Sequence, residues 1–347
     1  MKGRGTTLFV KNRFEQRELE TFDDGWDMQE DDRSLQTRFY DDQTKTLLSK
    51  NDSPDLGFTY SLNPYRGCEH GCVYCYARPS HEYLGMNAAA DFESKIMVKR
   101  DAPRLLAEMF QKKSWEPEVI VVSGNTDCYQ PAERKFQITR QCLEVFLRYK
   151  NPLGMITKNF LVTRDVDILS ELAKDDLVHV TVSITTLDKE LTRTMEPRTS
   201  ISERRLDAIE ILAKNGIRVG VNVAPIIPGL NDSEIPSVLK AASERGAVSA
   251  GMTVVRLPWA VEPIFLDWLK RERPLQESRV IAYIKDVRGG KMYQSKFGER
   301  MRGNGPIADS IRKMFKIYVA KYGLNKPLNH LRTDLFRREE SQFSLFA

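Results

Sequence analysis

From Phe58 onward the chain alternates short runs of β-branched and apolar residues with longer amphipathic segments, and this rhythm restricts the fold more than any other feature of the sequence. Strand candidates are Phe58–Leu62, Val119–Ser123, Met155–Lys158, Val178–Ile184, Ile217–Ala224 and Met252–Arg256. The helices that follow them are expected over Ala102–Gln111, Glu133–Tyr149, Asp165–Ala173, Ser202–Ala213, Ile235–Glu244 and Pro263–Arg271. Strands separated each time by a helix pair in parallel, with the helices packed outside them. The expected fold class is therefore α/β, a partial (β/α)6 TIM-type barrel, and in such folds functional side chains gather at the carboxyl ends of the strands. With 347 residues the chain has room for a barrel over 58–275, a loosely structured N-terminal extension over 1–57 and a C-terminal extension over 276–347 with a helix near Ile307–Tyr322.

The first strand candidate runs directly into Asn63-Pro64-Tyr65-Arg66-Gly67-Cys68-Glu69-His70-Gly71-Cys72-Val73-Tyr74-Cys75-Tyr76. Its cysteines have the spacing CxxxCxxC. Thiolates hold iron-sulfur clusters or zinc, and Gly67 and Gly71 allow the tight loop that lets three sulfurs converge. Three readings stand at this point. Cys68, Cys72 and Cys75 with His70 or His81 make a Cys3His structural zinc site of a binding module. The same three with Cys128 close a cubane cluster of an electron carrier. Alone, the three leave one iron of a 4Fe-4S cluster open for a small ligand, as a catalytic centre needs.

The CxxxCxxC loop, with the aromatic Tyr74 just before its third cysteine and its place after the first of six βα units, resembles the hallmark of the radical S-adenosylmethionine (radical SAM) superfamily. The resemblance covers residues 58–272. It implies a 4Fe-4S cluster on Cys68, Cys72 and Cys75, chelation of the fourth iron by S-adenosylmethionine, and one-electron cleavage of that sulfonium to a 5′-deoxyadenosyl radical. It also implies flavodoxin or ferredoxin as the reductant. Ser123-Gly124-Asn125-Thr126-Asp127-Cys128-Tyr129-Gln130-Pro131-Ala132-Glu133 resembles the TDxYQPxE segment of the branch related to spore photoproduct lyase, a DNA-repair radical enzyme.

Carried over residue by residue, the resemblance makes Tyr74, Ser123, Asn125 and Asp127 cofactor-site residues and places Lys158 against the cofactor carboxylate. Ser183 matches the polar contact of the fourth strand, Arg198 is a second carboxylate anchor, and Val223 on the apolar fifth strand becomes a wall against adenine. Cys128, in a strand-end loop, is the candidate hydrogen-atom donor to a product radical. Its position departs from that branch, where the donor lies just before the Ser123 position and this chain has Val121 and Val122. Cys142 falls in a helical pattern as a small buried hydrophobe. His81 either tunes the cluster or makes a structural hydrogen bond.

Composition narrows the class further. No apolar run approaches the roughly 20 residues of a membrane span, and the apolar stretch near Met1–Val10 is too short for a signal peptide, so a cytoplasmic location is expected and no membrane partner. Three cysteines within eight residues suit a metal site in a reducing compartment better than a disulfide framework. The net charge of +5 is unevenly placed: 11 acidic against 3 basic residues between Glu15 and Asp42, and 14 basic against 4 acidic between Lys285 and Arg338. The acidic stretch reads as a solvated arm. The basic one permits nucleic acid as a partner, because clustered Lys and Arg neutralise phosphates.

Overall fold

The computed structural model describes residues 3–6, 8–14, 36–326 and 331–338. The acidic segment from Glu15 to Leu35 lies outside the described residues. In chain order the strands are β1 (Arg38–Asp41), β2 (Leu48–Lys50), β3 (Tyr60–Leu62), β4 (Tyr65–Arg66), β5 (Lys95–Val98), β6 (Ile120–Val122), β7 (Leu153–Thr157), β8 (Val178–Ser183), β9 (Arg218–Ile226) and β10 (Ser249–Val254). The helices are α1 (Ala90–Ser94), α2 (Ala102–Gln111), α3 (Glu133–Phe136), α4 (Ile138–Tyr149), α5 (Val166–Lys174), α6 (Lys189–Met195), α7 (Ser202–Lys214), α8 (Ile235–Glu244), α9 (Val261–Glu272), α10 (Glu277–Val287) and α11 (Gly305–Lys321).

The main sheet has the order β10-β9-β8-β7-β6-β3-β2, with β2 antiparallel and the other six strands parallel. These six are the six expected from the sequence, and the sheet is the open α/β array of a partial barrel. A second sheet, β1-β5-β4, flanks the loop that leaves β4. Residues 36–57, expected to be loosely structured, in fact supply β1 and β2 and bury Leu47 in the core.

Alternation along the strands decides what faces where. On β8, Val178, Val180 and Val182 join the helix-side core with Leu172, Ile209 and Leu212, which leaves His179, Thr181 and Ser183 on the inner face. On β9, Val219, Val221 and Val223 face the helices, and Gly220, Asn222 and Ala224 face the lumen. The helices match this pattern: Ala102, Leu106 and Phe110 recur every four residues along α2 and are buried. The Phe110 ring stands 5.7 Å from Phe146 and 5.4 Å from Tyr149.

One helix expected as continuous is broken. Gln137, with φ 53°, separates α3 from α4. The Glu133 carboxylate is the cause: it accepts from the backbone N–H of Thr139 at 3.0 Å and of Arg140 at 3.3 Å, which caps the new helix start.

The C-terminal extension closes the sheet edge beside β10. The Ala250 N–H donates to the Leu324 carbonyl at 3.0 Å, and Ser249 bridges Asn325. Residues 331–338 then cross under the barrel, where Arg332 N–H donates to Asp176, Arg337 N–H to Tyr149, and the Arg338 guanidinium to the Trp115 carbonyl at 2.7 Å. Among the described residues no helix is long and apolar enough to cross a membrane.

Candidate active site

The strand β4 turns directly into the cysteine loop. Gly67 and Gly71 take φ of 80° and 66°, a backbone region where a side chain is strained, and a Cβ at Gly67 would stand 2.8 Å from His81 Cε1. Cys68 and Cys72 are buried and Cys75 is half-buried. Burial first, then the nearby carboxylate of Asp127 for Cys68 and of Glu196 for Cys72, holds the two thiols well above their ordinary pKa. The loop is tied down on every side. Cys68 N–H donates to Phe92 O at 2.9 Å, Glu69 N–H to Gln130 Oε1 at 2.9 Å, and Val73 N–H to Met195 O at 3.1 Å. The buried Arg78 donates to the carbonyls of Gly71, Cys72 and Ala89 and pairs with Glu93 at 2.5 Å.

The donor set fits a cluster rather than a single ion. Zinc requires all ligands about 2.0–2.3 Å from one point, and among the described residues no three His, Cys, Asp or Glu side chains are so arranged. Thiolates of a cubane each bind a different iron and stand farther apart. Neither histidine completes a Cys3His set. His70 sets Nδ1 3.5 Å from Asp127 Oδ2 and Nε2 3.1 Å from Asn159 Nδ2, and burial lowers its pKa to about 4. His81 sits under Gly67 with Nε2 2.9 Å from the Lys95 carbonyl, a structural role.

The segment after β6 packs against this loop. Ser123 has φ 80°, and its Oγ accepts from Cys128 N–H at 2.7 Å. Asn125 is exposed at the mouth, its N–H donating to Asn63 Oδ1 at 2.7 Å. Asp127 is a hub: its carboxylate accepts from Thr157 Oγ1 (2.8 Å), Tyr129 N–H (2.9 Å) and Lys158 N–H (2.8 Å). Lys158 carries its ammonium 5.9 Å from the Tyr74 ring centre, and among the described residues no carboxylate pairs with it. A cation so placed beside the thiols is available to a ligand carboxylate.

Residues 62–242 match the radical SAM superfamily. The chain belongs to this superfamily. Among its relatives are the uncharacterised protein Rv2578c of Mycobacterium tuberculosis (strain ATCC 25618 / H37Rv), 32% identical over 76% of this chain and 78% of that protein. Another is the uncharacterised protein MJ0683 of Methanocaldococcus jannaschii, 32% identical over 51% of this chain and 64% of that protein. Among solved structures, a variant of spore photoproduct lyase has a TM-score of 0.60 at 15% identity, covering 82% of this chain and 79% of that one. A second, with bound S-adenosylmethionine and dinucleoside spore photoproduct, has a TM-score of 0.58 at 16% identity over 81% and 77%. Radical SAM membership implies a 4Fe-4S cluster and S-adenosylmethionine as cofactors, and the three thiols and the Lys158 ammonium fit them.

Three carried-over assignments change with the radical SAM fold in view. Val223 lies on the helix side of β9, so Asn222 and Ala224 form the lumen wall at that level. Arg198 pairs with Glu69 at 3.1 Å and donates through its N–H to the His70 carbonyl, which makes it a clasp on the cysteine loop instead of a free carboxylate anchor. Cys128 is fully buried in the main core, with Asp127, Glu133 and Asp165 as its charged neighbours, and is closed off from a substrate.

Ser183 does face the lumen. It is joined there by Thr181 and Asn222, whose side chains, like its own hydroxyl, have no hydrogen-bond partner among the described residues. Sequence reading missed Glu196 and Arg205. The buried Glu196 carboxylate accepts from the Tyr74 hydroxyl, from Thr185 Oγ1 at 2.6 Å and from the Arg205 guanidinium. Glu196 stands two residues before Arg198, and nothing in the local sequence tells a buried carboxylate from a turn residue.

Proposed function

We propose that this radical SAM protein is an enzyme that abstracts a hydrogen atom from a polar substrate, with a nucleic acid as the narrower reading. When bound, the cluster supplies the electron that cleaves S-adenosylmethionine to methionine and the 5′-deoxyadenosyl radical. Everything else falls to the chain. Cys68, Cys72 and Cys75 hold the cluster, Lys158 receives the cofactor carboxylate, Asn125 offers an exposed amide at the mouth, and Tyr74 packs beneath Lys158.

The observation that carries the reading is the number of thiols: one loop presents three, while Cys128 and Cys142 are both buried in the main core. One iron is thereby left to a ligand from outside the protein. An electron carrier closes its cluster with a fourth thiolate, and a zinc module needs its ligands around one point; the side chains here suit neither.

A polar substrate is supported by Thr181, Ser183 and Asn222, whose side chains face the lumen without hydrogen-bond partners among the described residues. Thr181 and Asn222, but not Ser183, border a cavity of about 390 Å³ with Gly220, Gly251, Ser249 and Asn325. The nucleic-acid reading draws on the spore photoproduct lyase structure that holds a dinucleoside. It does not draw on the basic C-terminal segment, because much of that charge is engaged internally. Arg288 is buried against the Val254 and Val255 carbonyls, Arg300 pairs with Asp55 at 2.5 Å, and Arg337 and Arg338 donate to backbone carbonyls. Flavodoxin or ferredoxin is the proposed reductant.

The test is anaerobic reconstitution with iron and sulfide, reduction, and chromatographic detection of 5′-deoxyadenosine, with Cys72→Ala as control. Cleavage that depends on Cys72 supports the reading; a loaded cluster that neither binds nor cleaves S-adenosylmethionine overturns it.

A further inference from the structure

The first residues of the chain lie far from the barrel in sequence and directly on the cysteine loop in space. Gly5 and Thr6 are buried, although they precede every strand and helix. Gly5 rests against Gly71, the glycine between the first two cysteines, so closely that a Cβ added at Gly5 would collide with the Gly71 carbonyl oxygen. A Cβ at Gly71 would in turn come within 2.8 Å of Glu93 Oε2 and 3.3 Å of Gly5 N. Three segments therefore meet at one point with no spare volume.

Hydrogen bonds join the same three. Gly5 N–H donates to Glu93 Oε2 at 2.9 Å, and the Arg4 guanidinium donates to the Glu93 carbonyl at 2.6 Å and to Thr37 Oγ1 at 3.0 Å. Glu93 has no solvent-exposed side-chain surface, and its other oxygen pairs with Arg78. Arg78 donates to the Gly71 carbonyl at 3.1 Å and the Cys72 carbonyl at 2.9 Å. A continuous path thus runs from Gly5 through Glu93 and Arg78 to the backbone of the second cluster cysteine. Thr37 Oγ1 extends the contact by donating to Glu69 Oε1 at 2.8 Å, beside the first cysteine.

The strap is anchored again further along. Asn12 Nδ2 donates to the Glu82 and Met86 carbonyls at 3.1 and 3.2 Å, and the Arg13 guanidinium pairs with Glu82 at 2.9 Å while lying 4.0 Å over the Trp259 ring centre. Arg13 lies over the Tyr83 ring as well as that of Trp259.

We propose that Gly3–Thr6 is a strap across the outer side of the cysteine loop, with Arg4 and Gly5 as positioning residues that hold the loop in its ligand-ready form and keep water and dioxygen off the cluster. The inference rests on the reading of Cys68, Cys72 and Cys75 as cluster ligands. It predicts a division of effects: the strap touches the loop and not the barrel core, so loosening it exposes the cluster without unfolding the protein.

The test uses the full chain, reconstituted anaerobically, as wild type, Gly5→Ala, Arg4→Ala and Arg4→Lys. Iron and sulfide per chain are measured first, then the decay of the visible cluster absorbance in air-saturated buffer, with the thermal unfolding midpoint of the cluster-free protein in parallel. Outer partners of metal ligands typically change metal affinity by 10- to 100-fold, so bleaching about tenfold faster is expected in Gly5→Ala and Arg4→Ala at nearly unchanged midpoint. Arg4→Lys, which keeps the charge and one donor direction, bleaches at an intermediate rate. If Gly5→Ala lowers the midpoint sharply, Arg4→Ala decides the matter. Equal bleaching in the loaded wild type and Arg4→Ala overturns the strap alone. A wild type that takes up no iron and sulfide overturns the cluster reading, and this inference with it.

Discussion

The Tyr74 hydroxyl donates to the Glu196 carboxylate inside the protein, and the same carboxylate is paired with Arg205, whose side chain is likewise fully buried. The residue just before the third cysteine of the loop is thereby fixed to the turn after α6 and to α7. Arg205 completes the arrangement by donating to the Ser183 carbonyl at 3.1 Å and to Thr199 Oγ1 at 2.6 Å, so the cysteine loop and the end of β8 share one charged centre.

Glu196→Gln leaves the Arg205 guanidinium buried without its counter-charge, and a loss of about 3–5 kcal/mol in unfolding free energy is expected. Tyr74→Phe removes one hydroxyl and should cost about 1–2 kcal/mol. Urea denaturation of both variants checks the difference. Equal losses would show that the Arg205 pairing carries no special weight.

Lys158→Ala should weaken S-adenosylmethionine binding about 10- to 100-fold, the range expected when a hydrogen bond to a charged group is lost. Cluster content should stay the same, because among the described residues the Lys158 ammonium makes no hydrogen bond to the cysteine loop and lies 5.9 Å from the Tyr74 ring centre. Equilibrium dialysis of the reconstituted protein measures this, and unaltered affinity would remove Lys158 from the cofactor site.

Cys128→Ala should leave formation of 5′-deoxyadenosine unchanged in the reconstitution assay. The thiol is sealed in the core, and the cost should be about 1–2 kcal/mol of stability from the small cavity created. Loss of cofactor cleavage in a folded variant would return Cys128 to the reaction machinery.

Stability should depend on pH through Lys99, which is buried just past the end of β5. Burial, aided by the nearby Arg66, lowers its pKa from 10.5 to about 8. Between these two values the unfolded chain binds a proton that the folded chain does not, so unfolding free energy rises with pH across that window. Below it the folded protein carries a strained ammonium. The full rise is on the order of 3 kcal/mol, and Lys99→Met should abolish it while stabilising the protein near neutral pH. Chemical denaturation at a series of pH values would show a flat profile in the wild type if this account is wrong.

How far the sequence could be read follows the range of the interactions involved. The six parallel strands were legible because β-branched runs and helical periodicity are local, and α2 and α8 begin and end where the pattern places them. The α3–α4 break was not, because its cause is the Glu133 carboxylate folding back on N–H groups six and seven residues later. Val223 was misplaced for a similar reason: an apolar strand does not reveal which of its two faces looks inward until its neighbours are paired. Asp127 was recognised as belonging to the site, yet its task of gathering Thr157, Lys158 and His70 depends on segments far from it in the chain.

By itself the sequence determined the three-cysteine loop, the βα order and hence the family, since each is written in spacing over a few residues. Tertiary structure alone decided which polar groups are free and which are spoken for. It buried Cys128, tied Arg198 to Glu69, engaged the C-terminal arginines with backbone carbonyls, left Lys158 with no carboxylate partner among the described residues and laid Arg4 and Gly5 over the loop. A charge or thiol becomes available or unavailable only through the partners that packing brings to it, and those partners lie tens to hundreds of residues away.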